Sequence, residues 1–128
     1  DGDTVSVLDA ANTQYKIRLY GIDTPEQDQP YGKAAKQALA GLVNNAQVGV
    51  VVVETDDYGR LVGTLYRESA NVNAAMVAGG HAWWYRHYAP HERHLAEAER
   101  EARAQGRGLW AEQNPVPPWD WRRGRRGH

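Results

Sequence analysis

Residues Tyr15 to Leu19 alternate apolar and charged side chains, Tyr15-Lys16-Ile17-Arg18-Leu19. That is the period-two pattern of a strand with one face turned to a core, so Arg18 should emerge on the face opposite Ile17 and Leu19. This pattern constrains the fold because neighbouring segments read the same way. Val5 and Val7 give a preceding strand, Ala11-Asn12-Thr13 a hairpin turn, and Tyr15 to Ile22 the return. Val48 to Glu54 is a β-branched run, and Leu61 to Tyr66 returns after a Tyr58-Gly59 turn, making a second hairpin with Arg60 at its base.

Helical spacing takes over between and after these hairpins. Ala35, Ala38, Leu39, Leu42 and Val43 form an apolar stripe between Tyr31 and Asn45, with Lys33, Lys36 and Gln37 on other faces. Asn71 is a candidate N-cap for a short helix through Val77, ended by Gly79 and Gly80. A last helix is expected from near Pro90 to Gly106. Leu95, Ala98 and Ala102 would face inward there, and Arg93, Glu97, Glu99, Arg100 and Arg103 would be solvated.

Two acidic turns, Asp1-Gly2-Asp3-Thr4 and Asp23-Thr24-Pro25-Glu26, flank the strand that carries Arg18, and Asp57-Tyr58-Gly59-Arg60 adds a second arginine. Breaking a phosphodiester needs this combination of charges. Negative charge builds on the phosphoryl oxygens as the phosphorus becomes five-coordinate, so cations must surround them while a carboxylate handles the attacking water. Carboxylates alone would repel the substrate. Asp3 and Asp23 are compatible with an anion if they hold a hard divalent cation, for which oxygen donors are suited. The planar forks of Arg18 and Arg60 would then face the same phosphate, and Glu26 remains as the candidate general base.

Each feature also has a structural explanation. Asp-Gly and Asp-Thr-Pro are common turn formers, and the carboxylates of Asp56 and Asp57 could simply be solvated at a hairpin tip. His91 and His94 are three apart on the last predicted helix but lack a third ligand and do not form H-E-x-x-H, so zinc is not expected.

Taken in order, D-G-D-T, I-R-L-Y-G-I-D-T-P-E, Y-G-R, V-A-G-G-H-A and G-L-W resemble the staphylococcal nuclease family, from Asp1 to about Trp110. The resemblance implies an α+β fold, a five-stranded oligonucleotide-binding (OB-fold) barrel with about three packed helices. It also implies a Ca2+-dependent endonuclease that acts on DNA and RNA and leaves 3′-phosphate ends. Carried over by position, Asp3, Asp23 and the carbonyl of Thr24 match the metal ligands. Arg18 and Arg60 match the phosphate-binding arginines, and Glu26 matches the proposed general base. Tyr88 or Tyr85 matches a substrate-side tyrosine that could stack on a base. Trp83, Trp84 and Trp110 match buried aromatics. The family's longer lysine-bearing loop after T-P-E is replaced by Gln27-Asp28-Gln29-Pro30, a change at the mouth of the site that bears on substrate reach. By the same resemblance a strand is expected before Asp1, the protein is expected to be a monomer, and a secreted, periplasmic or cell-envelope location is expected. The alternative within the resemblance is a non-catalytic OB-fold module that binds nucleic acid or protein.

Composition fits one such domain. A chain of 128 residues with 41% apolar residues can bury one core. It has no cysteine, which excludes disulfides and thiolate metal sites. No run is long enough to span a bilayer, so no membrane contact is expected, and no charged start followed by an apolar stretch opens the sequence. The net charge of −1 is low for a phosphate binder, but a bound dication would reverse the sign at the acidic turns. The domain is expected over residues 1–113. Residues 114–128 form a tail in which Pro115, Pro117 and Pro118 favour an extended path, Trp119 and Trp121 could dock back, and Arg122, Arg123, Arg125 and Arg126 could add affinity for nucleic acid.

Overall fold

The computed structural model describes residues 2–125, so Asp1 of the first acidic turn and Arg126 of the basic run lie outside the described residues. Strands β1 (Thr4–Leu8) and β2 (Gln14–Leu19) form the first hairpin, in register from Thr4 opposite Arg18 to Leu8 opposite Gln14. At its turn the Asp9 carboxylate accepts the amides of Ala11 and Thr13, while Asn12 takes a left-handed φ of 62°, a conformation Asn tolerates. Ile17 and Leu19 are buried and Arg18 emerges on the other face, as the alternation requires.

The strand expected to continue to Ile22 breaks at Tyr20-Gly21. Gly21 adopts a φ of +80°, and the chain re-enters as a separate strand, β3 (Ile22–Asp23). A side chain at Gly21 would also come within 2.8 Å of Leu95. Helix α1 (Gly32–Val43) follows and buries Ala35 and Leu39. Strands β4 (Gly49–Thr55) and β5 (Leu61–Arg67) form the second hairpin, with a register shift between Val52 and Glu54, and β6 (Ala70–Asn71) adds to β5. Strand β5 runs parallel to β2, setting Arg18 opposite Val62. Helix α2 (Val72–Ala78) begins as predicted, with the Asn71 side chain accepting the Ala74 amide at 2.9 Å. Strand β7 (Trp83–Trp84) then pairs with β3, and helix α3 (Arg93–Gln105) ends at a left-handed Gly106, starting three residues after Pro90. A single 3-10 turn, Gly108–Ala111, leads to helix α4 (Pro118–Arg122).

The result is a mixed α+β fold: a five-stranded sheet of order β1-β2-β5-β4 with β6 on β5, a two-stranded β3–β7 ribbon, and four helices. One expectation is left unconfirmed and another changes. Among the described residues no ladder joins the edge strands β1 and β4, so these pairings leave the sheet open and do not close a barrel. A groove of about 890 Å³ separates the two edges, lined by Val5, Val7, Val48, Val50 and Leu39. The fourth helix lies where an extended tail was expected, because Pro118 occupies a first-turn position where its missing N–H is not needed and its fixed φ is helical.

The core gathers Ile17, Leu19, Ile22, Leu39, Leu65, Val72, Met76, Val77, Ala82 and Leu95. One buried polar residue organises it. Asn73 of α2 donates from Nδ2 to the carbonyls of Tyr20 and Gly63 and accepts the Leu65 amide, tying α2 to β5 and to the turn that leads into Asp23. The outer face of α3 is not wholly solvated as predicted. Glu99 accepts the Trp84 amide at 2.8 Å, and Arg103 lies over the rings of Trp83 and Trp110. Among the described residues no helix is long and apolar enough to cross a membrane.

Candidate phosphate and metal site

Asp3 and Asp23 converge on one guanidinium. The Arg18 Nη2 lies 3.6 Å from Asp3 Oδ2 and 3.9 Å from Asp23 Oδ1, and Arg18 Nη1 donates to its neighbouring carbonyl, that of Leu19. The sheet explains the convergence. Asp3 immediately precedes β1, where Thr4 pairs with Arg18, and the Asp3 carbonyl accepts the Leu19 amide at 2.8 Å. Asp23 is brought back by the Gly21 turn and held in the β3–β7 ribbon opposite Trp83. Both acids are buried, with 4% and 0% of their surface exposed. The backbone amide of Thr24 donates to Asp3 Oδ2 at 3.3 Å, which joins the two acidic turns. The Thr24 hydroxyl is buried and has no hydrogen-bond partner among the described residues.

A buried carboxylate is costly unless paired; Asp3 and Asp23 share Arg18 at 3.6–3.9 Å, and Asp23 is paired with Arg122 of the tail as well. Burial pushes the Asp23 carboxyl above its usual value, and the nearby Asp3 charge adds to that, against the opposing pull of Arg122 and Arg18. The donors here are oxygens only, and among the described residues no cluster of three or more His, Cys, Asp or Glu side chains forms a ready-made metal cage. Hard oxygen donors fit a hard dication that keeps several waters, and they do not fit a thiophilic metal.

Glu26 reaches this centre through a residue the sequence reading did not assign to it. Arg122, on α4, donates from Nη2 to Asp23 Oδ2 at 2.7 Å and from Nη1 to Asp23 Oδ1 at 3.1 Å and Glu26 Oε2 at 3.0 Å. The short segment after Glu26 folds tightly enough to present that side chain. The Glu26 amide donates to Gln29 Oε1, the Gln29 amide donates to the Glu26 carbonyl, and Gly32 leaves no room for a Cβ beside that carbonyl. The only sequence sign of Arg122 was a run of charge in the tail. Its partners are 96 and 99 residues away, and no spacing rule reaches them.

Arg60 lies on the other side of Arg18. Arg18, Arg60, Tyr85 and Tyr88 line one cavity of about 280 Å³, together with Leu19, Gly21, Ile22, Asp56 and Val62. Asp56 is not a solvated tip residue. It accepts the amides of Tyr58 and Arg60 at 2.9 Å each and Arg60 Nε at 2.6 Å, fixing the second arginine from within its own hairpin. Tyr85 and Tyr88 stack with centroids 6.2 Å apart, and Trp119 of α4 stacks on Tyr85 at 5.4 Å. Of the two tyrosines that competed as the substrate-side residue, both therefore line the cavity. His94 pairs with Glu92 at 3.4 Å, away from this group.

The model of the family described as Staphylococcal nuclease homologue matches residues 16–112. A micrococcal nuclease of Shigella flexneri is 42% identical over 133 residues, spanning 96% of this chain and 76% of that protein. An uncharacterized endonuclease of Haemophilus influenzae is 39% identical, over 96% of this chain and 68% of that protein. A protein of Oryza sativa subsp. japonica named as a probable staphylococcal-like nuclease is 44% identical over 88% of this chain, but the chain spans only 30% of its length.

Proposed function

The chain belongs to the staphylococcal nuclease homologue family, and from that premise we infer that it is a nuclease: a calcium-dependent endonuclease that hydrolyses phosphodiester bonds of DNA and RNA with little sequence selectivity and leaves 3′-phosphate ends. The observation that carries this reading is the junction at Arg18, whose guanidinium faces the buried Asp3–Asp23 pair and also lines the cavity shared with Arg60, Tyr85 and Tyr88. A phosphate at that junction meets two planar cationic forks, with acidic oxygens behind one of them.

Asp3, Asp23 and the carbonyl of Thr24 would hold the calcium ion, which when bound supplies Lewis-acid polarisation of the phosphoryl group and a lowered pKa for water. Arg18 and Arg60 stabilise the charge that builds on the phosphoryl oxygens. Glu26 accepts the proton of the attacking water. Tyr88, which is exposed, offers its ring to a base while Tyr85 supports it by stacking, and such a contact explains indifference to sequence, since every base has a π-face. The five-stranded sheet supplies one wall of the site. We place the protein, as a monomer, in a secreted, periplasmic or envelope setting.

A second reading is a non-catalytic OB-fold module of nuclease descent that binds nucleic acid or protein without cutting. The presence of every matched acid and arginine favours catalysis. Incubation with plasmid and single-stranded DNA, first with calcium and then with chelator, separates the two. Calcium-dependent smearing is the expected result, and a retarded but intact band would establish binding alone.

A further inference from the structure

The acid site already has a cation in it, supplied by the chain itself. Arg122 takes both oxygens of Asp23 and one oxygen of Glu26, so it engages one proposed calcium ligand and the proposed base with a single guanidinium. These two-pronged, charge-assisted bonds, at 2.7 and 3.1 Å, are the shortest ion-pair contacts of the Asp23 carboxylate among the described residues, while Arg18 stands 3.9 Å off. Helix α4 is seated independently of this ion pair. Trp119 stacks on Tyr85 and packs edge-on to Trp83, Trp121 Nε1 donates to Asp28, and Gln29 Nε2 donates to the Val116 carbonyl. The Arg122 side chain is nevertheless 40% exposed, so it can leave without opening the core. The family model ends at residue 112, before α4 begins, whereas the Shigella flexneri and Haemophilus influenzae relatives align over 96% of the chain, a span that takes in this helix.

We propose that helix α4 is an intramolecular plug of the acid site, in which Arg122 and a divalent cation occupy Asp23 in alternation. This rests on Asp23 being a calcium ligand. A guanidinium bonded to both oxygens of a carboxylate sets a positive charge against the site a dication would use, so the two cations repel and compete for it. Calcium therefore binds the fraction of molecules in which the plug is out, and its apparent affinity is reduced by that fraction. The plugged state also holds one oxygen of Glu26, so the arginine competes with a dication at Asp23 and with water at Glu26 Oε2.

Calcium binding to the full chain, measured by calorimetry without substrate, tests this apart from activity. Arg122→Ala should bind calcium about tenfold more tightly than wild type if the plug is out roughly one-tenth of the time. Trp119→Ala keeps the guanidinium but removes the stack that seats the helix, and should tighten binding by a smaller factor. In wild type, calcium should speed tryptic cleavage after Arg122 and Arg123 relative to chelator. Unchanged or weaker calcium affinity in Arg122→Ala overturns the plug, and if calcium-dependent DNA cleavage persists there, the nuclease reading survives alone. Calcium binding to neither protein overturns the plug and the calcium dependence together.

Discussion

Arg18 and Arg60 bring the same charge to one cavity and are held there in opposite ways. Arg18 depends on the whole fold: its position follows from the β1–β2–β5 register, and its acidic partners come from the segment before β1 and from the β3–β7 ribbon. Arg60 depends on four residues of one turn, where Asp56 accepts its backbone and its side chain. Damage to the fold should therefore reach Arg18 first, whereas damage to a single turn should move Arg60 alone.

The largest expected effect is at Arg18. Arg18→Ala should lower kcat by about 10²–10³, the usual loss for one preorganised donor, and should also lower stability in chelator, because it leaves two buried acids with less neutralisation. Arg60→Ala should lose a similar factor in rate while urea midpoints stay close to wild type, since its salt bridge is partly solvated. Equal stability losses in the two variants would break the contrast. Next, Asn73→Ala should cost about 2–4 kcal/mol in urea unfolding, because it orphans the Leu65 amide and the Tyr20 carbonyl, whereas the Gly63 carbonyl keeps the Tyr20 amide. Asp56→Asn, which keeps the turn but drops the charge that fixes Arg60, should reduce kcat/KM by only about threefold to tenfold.

The smallest effect is in pH and has opposite sign in the two regions. Burial alone would raise the Asp56 carboxyl, but bonds from Arg60 and Tyr58 outweigh it and hold the group below its ordinary 3.8. Its contribution is present above pH 3.8 and fades as pH falls through the lower folded value. Asp23 is raised by burial, so its contribution is present below pH 3.8 and fades as pH rises through the higher folded value. Urea midpoints in chelator should thus lose acid sensitivity in Asp56→Asn and gain it in Asp23→Asn, and matching slopes in both variants would contradict this.

The contrast also explains what could be read from the chain alone. Alternation around Arg18 and the Asn71 cap are local signals, and both the strand face and the helix start follow from them. The pattern of acids and arginines was legible because its residue types fit one chemistry. Arg122 was not, since a guanidinium in a basic tail carries no mark of a carboxylate about a hundred residues earlier. Asn73 looks like an ordinary polar helix residue until the Tyr20–Gly21 turn is folded against it. The open sheet was likewise hidden, because strand propensity says which segments extend but not whether the first and last edges meet.

Gln29 gives this molecule a mechanical property. Its amide oxygen grips the backbone under Glu26 and its amide nitrogen grips Val116, so one buried side chain spans the distance between the acidic loop and the approach to the last helix. Lengthening or shortening the stretch between the 3-10 turn and that helix should therefore be felt as a tug on Glu26, and spacing there sets the rest position of a carboxylate it never touches.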